Sequence, residues 1–257
     1  MHLKKFDMTR LKFEKYHGYS SKSPDNILII GRRNVGKTFL IRDIMHHNQD
    51  IACGVAVSGT ECYKKKYQAF LPKVLIHAEY TPSIIENVLK RQKHVFEEIK
   101  RQSLIQVVGE PTVEIDRRAF VILDACMYDS QWTKCKLMRL LYMNNRSFST
   151  MVIYSMQYPL GIPPALRGNV DFVFVFKDDI VSNRRRIFDN YVEPYFTDSF
   201  GFDGFCSVMD ALCTSDHGCL VIDNNPRPQF NISDNMFWYK ANSHEKFKIC
   251  SNFGQVL

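Results

Sequence analysis

The segment from Gly31 to Thr38 constrains the fold of this chain more than any other feature. Its sequence, GRRNVGKT, matches the phosphate-binding loop pattern of Gly, four residues and Gly-Lys-Thr. The apolar run Asn26–Ile30 precedes the loop and indicates a buried strand, and the residues from Thr38 onward indicate a helix. In this context backbone N–H groups and the helix N-terminus hold phosphate oxygens. The sequence therefore predicts a nucleotide site.

The chemistry of this loop assigns roles to its residues. We expect Lys37 to reach the β- and γ-phosphates of ATP and Thr38 to hold Mg²⁺. The residues predicted to contact the nucleotide are Gly31, Asn34, Val35, Gly36, Lys37, Thr38 and Phe39. The alternative is a chance match in a surface turn, but the strand before the loop and the helix after it both weigh against that.

A second motif predicts the other half of a metal site. Ala119–Asp124 has the Walker B form, which is an apolar strand that ends in an aspartate. Many buried strands end in this way, but this strand follows the phosphate loop behind two intervening strands. We expect Asp124 to face the Mg²⁺ ion near Thr38. The spacing predicts an ATPase with extra strands between the two Walker strands.

The residue after Asp124 departs from the pattern of hydrolytic ATPases. Such enzymes usually carry Asp or Glu where this chain has Ala125, and that carboxylate deprotonates the attacking water. Alanine cannot do so, and the chain is therefore predicted to bind ATP and Mg²⁺ but to hydrolyse ATP poorly. Glu61 and Asp129 are candidate substitutes, with a solvated loop carboxylate as the alternative for each.

Three further residues are catalytic candidates. Gln157 follows the apolar strand predicted at residues 150–155 and is placed to sense the γ-phosphate, with a turn residue as the alternative. Arg146 precedes this strand and Arg167 follows it. Either could act as an arginine finger on a neighbouring subunit, which is worth about 10³–10⁵ in rate. The alternative for each arginine is a structural salt bridge.

The length and the pattern of elements favour one α/β domain. Strands and helices alternate from Asn26, which predicts a mostly parallel sheet with helices on both faces and a final strand at 219–222. Residues 1–25 are predicted to form a basic arm, 26–223 the P-loop core and 224–257 a C-terminal tail. Because no stretch approaches 18 consecutive apolar residues, we expect no membrane span.

The charge of the chain indicates which partners it could bind, and its cysteines indicate their redox state. The net charge of +7 is compatible with a polyanionic partner. Basic clusters that could contact DNA phosphates, each with a solvated face as the alternative, lie at 64–66, 90–93, 117–118 and 184–186. The eight cysteines include no C-x-x-C pair, and reduced thiols are predicted. Cys213, His217 and Cys219 match no standard zinc spacing, so ordinary half-buried thiols are predicted there.

Together these motifs resemble those of a known family. The sequences that carry the resemblance are GRRNVGKT, VILDACMYD, the NNR of 144–146, MQYPLGIPPALRGNVD and CLVID. They are similar to the genome-packaging ATPases of nucleocytoplasmic large DNA viruses, in the FtsK–HerA superfamily. The resemblance spans about residues 26 to 223, and its most specific parts are 126–129 and 156–171.

The resemblance implies a RecA-like ASCE P-loop core and a ring of subunits. It implies ATP-driven translocation of double-stranded DNA into a preformed capsid, with the capsid portal or vertex as partner. The implied location is the virus assembly site in the host cytoplasm and the virion. By position, Gln157 becomes the sensor and Arg146 the preferred finger, while Ala125 departs from the family pattern. The alternatives are a small kinase or other non-motor nucleotide-binding protein, and a regulatory subunit that does not hydrolyse ATP.

Overall fold

A computed structural model describes residues 3–15, 22–60, 64–107, 115–125, 134–193, 201–212, 217–225 and 235–250. Within them a nine-stranded, mostly parallel sheet carries helices on both faces, which confirms the predicted α/β fold. The strands are β1 Lys4–Lys5, β2 Asn26–Ile30, β3 Gly54–Ser58, β4 Ile76–His77, β5 Ala119–Asp124, β6 Thr150–Met156, β7 Phe172–Phe176, β8 Gly218–Asp223 and β9 Met236–Lys240. The helices are α1 Lys37–His47, α2 Pro82–Val107, α3 Lys136–Asn144, α4 Pro164–Arg167, α5 Val181–Ile187 and α6 Gly201–Leu212.

The strand order is β1-β9-β8-β7-β2-β6-β5-β3-β4. β2, which leads into the phosphate loop, pairs in parallel with β6 and β7. β5, which ends in Asp124, pairs in parallel with β3 and β6. One strand, β6, therefore separates the two Walker strands, and the carboxyl ends of all three strands lie at the same edge of the sheet.

The two faces of the sheet are covered by different helices. Side chains alternate along β2, so that Ile27 and Ile29 face one side and Leu28 and Ile30 the other. On the first face α1 packs with buried residues from both ends of the chain. On the second face α2, α3, α5 and α6 cover the sheet. This arrangement buries β2 completely and holds the phosphate loop at the sheet edge.

The sheet extends beyond the part of the chain that the sequence predicted as the core. In the predicted N-terminal arm, β1 pairs in parallel with β9, and Phe6 is buried against the sheet. The prediction that the strand at 219–222 is the last one was wrong, because β9 follows it and pairs with it antiparallel. The described parts of the predicted arm and tail thus each supply one strand to the sheet, β1 at its edge and β9 beside it.

Two helices also differ from the sequence prediction. The helical spacing of apolar residues predicts a helix from Pro82 to about Ser103, and α2 continues four residues further, to Val107. The sequence predicted no element at the position of α6. Across the described ranges, no helix combines the length and the apolar character that crossing a membrane requires.

Candidate nucleotide-binding site

The phosphate loop leaves β2 and turns sharply into α1. The Gly31 N–H donates to the carbonyl of Met156 at 3.1 Å, which ties the start of the loop to the end of β6. Asn34 and Gly36 have φ angles of 64° and 110°, in the left-handed region that glycine tolerates best. A side chain at Gly36 would also bring its Cβ to 2.4 Å from Nδ1 of His217. This glycine is therefore required both by the turn and by its neighbour.

Lys37 begins α1 with its ammonium group folded back over the loop. Its Nζ donates to the carbonyls of Gly31 and Arg32, both at 2.7 Å, and the residue is 8% exposed. Burial lowers its pKa, Asp124 opposes that shift, and the nearby cations Lys66 and Arg33 add to it. The site thus concentrates positive charge where an anionic ligand would relieve the repulsion.

Thr38 and Asp124 meet as the two Walker motifs predicted. The Thr38 hydroxyl donates to Asp124 Oδ2 at 2.9 Å, and Asp124 is 2% exposed. The buried Tyr67 hydroxyl donates to the same oxygen at 2.9 Å. Sequence analysis missed Tyr67, because no motif marks the short turn at 67–69 that carries it. A hydroxyl and a carboxylate this close form a typical pair of oxygen ligands for Mg²⁺.

These residues line a cavity of about 830 Å³ at the carboxyl edge of the sheet. That volume lies in the range of small-molecule sites. The lining comprises Arg33, Asn34, Gly36, Lys37, Thr38, Phe39, Gly59, Thr60, Lys64, Lys66, Asp124, Ala125, Gln157 and His217. The structure therefore gathers eight of the predicted site residues around one cavity, while Gly31 and Val35 contribute backbone carbonyls to Lys37 and His217.

Some residues that line the cavity were not predicted from the sequence to belong to the nucleotide site. Lys64 and Lys66 belong to a cluster that was considered only for DNA, and both are exposed. His217 was considered only with Cys213 and Cys219, but its ring lies 4.7 Å from that of Phe39 beside the loop. Cys219 is buried in β8, and Cys213 lies outside the described residues.

Ala125 lies at the cavity directly after β5. Its φ of 53° is left-handed, and its N–H donates to the carbonyl of Ser155 at 3.2 Å. The position expected to hold the catalytic acid thus faces the site, but its methyl group cannot accept a proton. The two candidate substitutes, Glu61 and Asp129, lie outside the described residues.

The two candidate finger arginines lie away from the cavity of their own subunit. Arg146 is 56% exposed and forms an ion pair with Asp171 at 2.5 Å, and Asp171 in turn accepts from the Asn26 N–H at the start of β2. This ion pair therefore lies at the amino end of β2, whereas the phosphate loop follows the carboxyl end of the same strand. Arg167 donates to Asn190 Oδ1 and to a backbone carbonyl. Their action on a neighbouring subunit stays a prediction.

Two arginines in the basic clusters serve the fold. Arg118 is buried and pairs with Asp50 and Asp116 at 2.8 and 2.7 Å. Arg184 pairs with Asp210 at 2.6 Å. Neither guanidinium is available to a DNA backbone, so a DNA contact at these clusters would have to come from their other members.

Comparison with known proteins assigns the chain to a family, although no protein-family model matches it. It is 33% identical to uncharacterized protein L437 of Acanthamoeba polyphaga mimivirus over 217 residues, which are 84% of this chain and 72% of that protein. It is 31% identical to uncharacterized protein 075L of Invertebrate iridescent virus 6 over 242 residues, which are 93% of this chain and 85% of that protein.

The fold is also that of a solved viral protein. The genome packaging NTPase B204 from Sulfolobus turreted icosahedral virus 2, in complex with ATP-gammaS, aligns with a TM-score of 0.51 and 14% identity. The alignment covers 86% of this chain and 98% of that one. The relatives by sequence, the RecA-like fold and the Walker motifs agree. The chain therefore belongs to a family of proteins of large DNA viruses that includes protein L437 of the mimivirus and protein 075L of the iridescent virus, and it has the fold of a P-loop ATPase.

Proposed function

We propose that this protein is an ATP-driven motor that translocates double-stranded DNA into a preformed capsid. The observation that carries the nucleotide half of this proposal is the meeting of Lys37, Thr38 and Asp124 at one cavity. The DNA half is supported by the resemblance of the motifs to viral packaging ATPases, by the fold shared with the packaging NTPase B204 and by the net charge of +7. We expect assembly into a ring at a capsid portal or vertex.

The residues present fit ATP and Mg²⁺. Lys37 would exchange the carbonyls of Gly31 and Arg32 for the β- and γ-phosphates, and the loop N–H groups would hold the phosphate oxygens. Thr38 Oγ1 and Asp124 Oδ2 would hold Mg²⁺, which supplies positive charge against the phosphates when bound. The adjoining rings of Phe39 and His217 offer an aromatic surface to the base.

Hydrolysis requires a group that activates water, and the described part of the site offers none at the usual position. Gln157 lines the cavity and can orient a water through its amide, but an amide is no base. We therefore propose that this chain binds ATP firmly and turns it over slowly. A regulatory subunit that binds ATP without turnover is the second candidate, favoured by Ala125 alone.

DNA contacts are proposed to fall on exposed lysines and arginines of the basic clusters. A motor that moves along any sequence contacts the phosphate backbone and does not read bases. We expect binding to any duplex with an affinity that falls steeply as salt rises, because each phosphate contact releases counterions. An affinity that is unchanged between low and moderate salt would refute backbone tracking.

The test of the motor is ATP hydrolysis with and without duplex DNA. It uses the Ala125→Asp variant, because the chain as it stands is expected to be slow. We expect stimulation by double-stranded DNA of unrelated sequences, and Lys37→Ala in the same background should remove it. Activity that ignores DNA but transfers phosphate to a nucleoside would indicate a kinase, and ATP binding without turnover in either chain would indicate the regulatory subunit.

The proposed finger is tested by mixing subunits in the Ala125→Asp background. One subunit carries Lys37→Ala and the other Arg146→Ala, and each alone should be inactive. Mixed rings should regain activity, because some intact sites then face intact arginines. Arg139→Ala, on the exposed side of α3, is the matched control. If the two variants co-assemble but activity does not recover, Arg167 becomes the candidate finger. If Arg146→Ala alone keeps full activity, the role of Arg146 is structural, through its ion pair with Asp171.

A further inference from the structure

Three histidines gather far from the cavity, at the C-terminal end of α1. His46 and His47 end this helix, and His244 reaches them from the segment that follows β9. Each offers a ring nitrogen, and the three nitrogens lie within 4.8 Å of one another. Histidine is the commonest metal ligand in proteins, and its neutral ring suits Zn²⁺ and similar cations.

A buried carboxylate organises this histidine cluster. Asp43, one turn earlier on α1, is fully buried and accepts hydrogen bonds from the Tyr239 hydroxyl at 2.7 Å and the Asn242 N–H at 2.8 Å. Its Oδ1 lies 2.5 Å from His244 Nε2 and 3.7 Å from His47 Nε2. Histidines that bind metals usually donate their second N–H to such a carboxylate. The bond at Nε2 leaves Nδ1 of His244 to act as the ligand.

His46 supplies a ring nitrogen that lacks a protein partner. Its Nδ1 is buried and has no hydrogen-bond partner among the described residues. Its ring stacks on that of His244 with centroids 3.7 Å apart and planes 10° apart. A buried ring nitrogen with no hydrogen-bond partner, beside two other imidazoles, is available to ligate a metal ion.

The backbone around the histidine cluster is already fixed. Arg42 donates from its guanidinium to the carbonyls of His244 and Glu245, at 3.1 and 3.2 Å. These bonds hold the segment after β9 against α1 before any ion enters. Binding therefore requires side chains to move while the main chain stays in place.

We propose that His46, His47 and His244 form a structural site for a divalent transition-metal cation of the Zn²⁺ class, with Asp43 as the carboxylate that orients or completes it. Tetrahedral ligation places nitrogens about 3.4 Å apart, given Zn–N bonds of about 2.0–2.1 Å. The rings of His46 and His244 would turn out of their stack to meet this geometry. The ion would clamp the segment after β9 onto the helix that begins at the phosphate loop.

Cobalt is the probe, used with the full chain free of nucleotide. A four-coordinate Co²⁺ site gives intense visible bands, whereas Co²⁺ at the Walker residues would have six oxygen ligands and weak bands. We expect one Co²⁺ per chain with the intense spectrum, displaced by one Zn²⁺, and a higher Tm with Zn²⁺ than after chelation. The spectrum should disappear in His46→Ala and His244→Ala and persist in His94→Ala, which removes an exposed histidine from α2.

Circular dichroism and Tm separate loss of the site from loss of the fold. If His46→Ala or His244→Ala fails to fold, His47→Ala is used in its place. The side chain of His47 is 30% exposed, so that its removal should disturb the fold less. Intense bands that survive in folded His47→Ala and His244→Ala, or a folded wild-type chain that takes up no Co²⁺ or Zn²⁺, would overturn the site. Stability that changes with pH but ignores both metals would also overturn it, and would leave the histidine cluster as a proton-binding group.

Discussion

Introducing a carboxylate next to Asp124 is the sharpest test of the proposed chemistry. In the Ala125→Asp variant we expect the rate of ATP hydrolysis to rise by about 10²–10⁴, the contribution of a positioned general base. This corresponds to about 3–5 kcal/mol of transition-state stabilisation. The new side chain would start from a backbone position that already lines the cavity.

The backbone at Ala125 determines which acid should work best. Its φ of 53° lies in the left-handed region, where Asp and Asn are enriched and other side chains cost about 1–2 kcal/mol. Ala125→Asp should therefore keep or raise the free energy of unfolding. Ala125→Glu should recover less activity, since it combines the strained backbone with a longer side chain.

Steady-state hydrolysis at saturating ATP and Mg²⁺ is the assay, and Ala125→Asn is the matched control. Asparagine has the shape and backbone preference of aspartate but cannot take a proton. Equal activation by Asn and Asp would show that geometry, and no base, was missing. Rapid turnover by the chain as it stands would place the base elsewhere, and Glu61→Gln would then be tested.

The remaining predictions address other parts of the molecule. Lys37→Ala should abolish ATP binding in calorimetry, because it removes the charge that faces the phosphates; unchanged affinity would refute the loop assignment. Tyr67→Phe should weaken Mg²⁺-dependent ATP binding by roughly 10- to 100-fold, since a hydrogen bond to a charged group is worth about 1.5–3 kcal/mol, with Mg²⁺-free binding as the comparison. Burial raises the pKa of Asp25 to about 6, so the folded state holds its proton more tightly and stability falls as pH rises from about 4 to 6. Asp25→Asn should flatten that fall in denaturant titrations, and an unchanged pH profile would contradict the assignment.

The phosphate loop and its partners were predictable because their chemistry fixes both residue type and spacing. Lys37, Thr38 and Asp124 each follow a motif, and parallel strands bring their carboxyl ends together at one edge. The position of Gln157 followed from the same rule, since it comes directly after β6, the strand between the two Walker strands. These predictions needed only local sequence and the geometry of a parallel sheet.

The contacts that escaped prediction join segments far apart in the chain. Tyr67 reaches Asp124 across 57 residues, and His217 lies over a loop residue 182 positions earlier. No local pattern encodes either approach, because each depends on how the tertiary fold brings loops together. The strands β1 and β9 were missed for a related reason, since the two residues of β1 form a strand only by pairing with β9, which lies more than 200 residues later in the chain.

The conformation at Ala125 bears on the proposal that this position lacks a catalytic acid while the site around it stays intact. The N–H of Ala125 donates to the Ser155 carbonyl and continues the pairing of β5 with β6. The main chain there is thus held by the sheet, and the side chain takes no part. Thr38 and Tyr67 hold the carboxylate of Asp124 through their hydroxyls, and neither hydrogen bond involves residue 125. A replacement at 125 is therefore expected to act on turnover and to leave nucleotide binding unchanged, and comparing these two quantities in one variant tests both halves of the assignment.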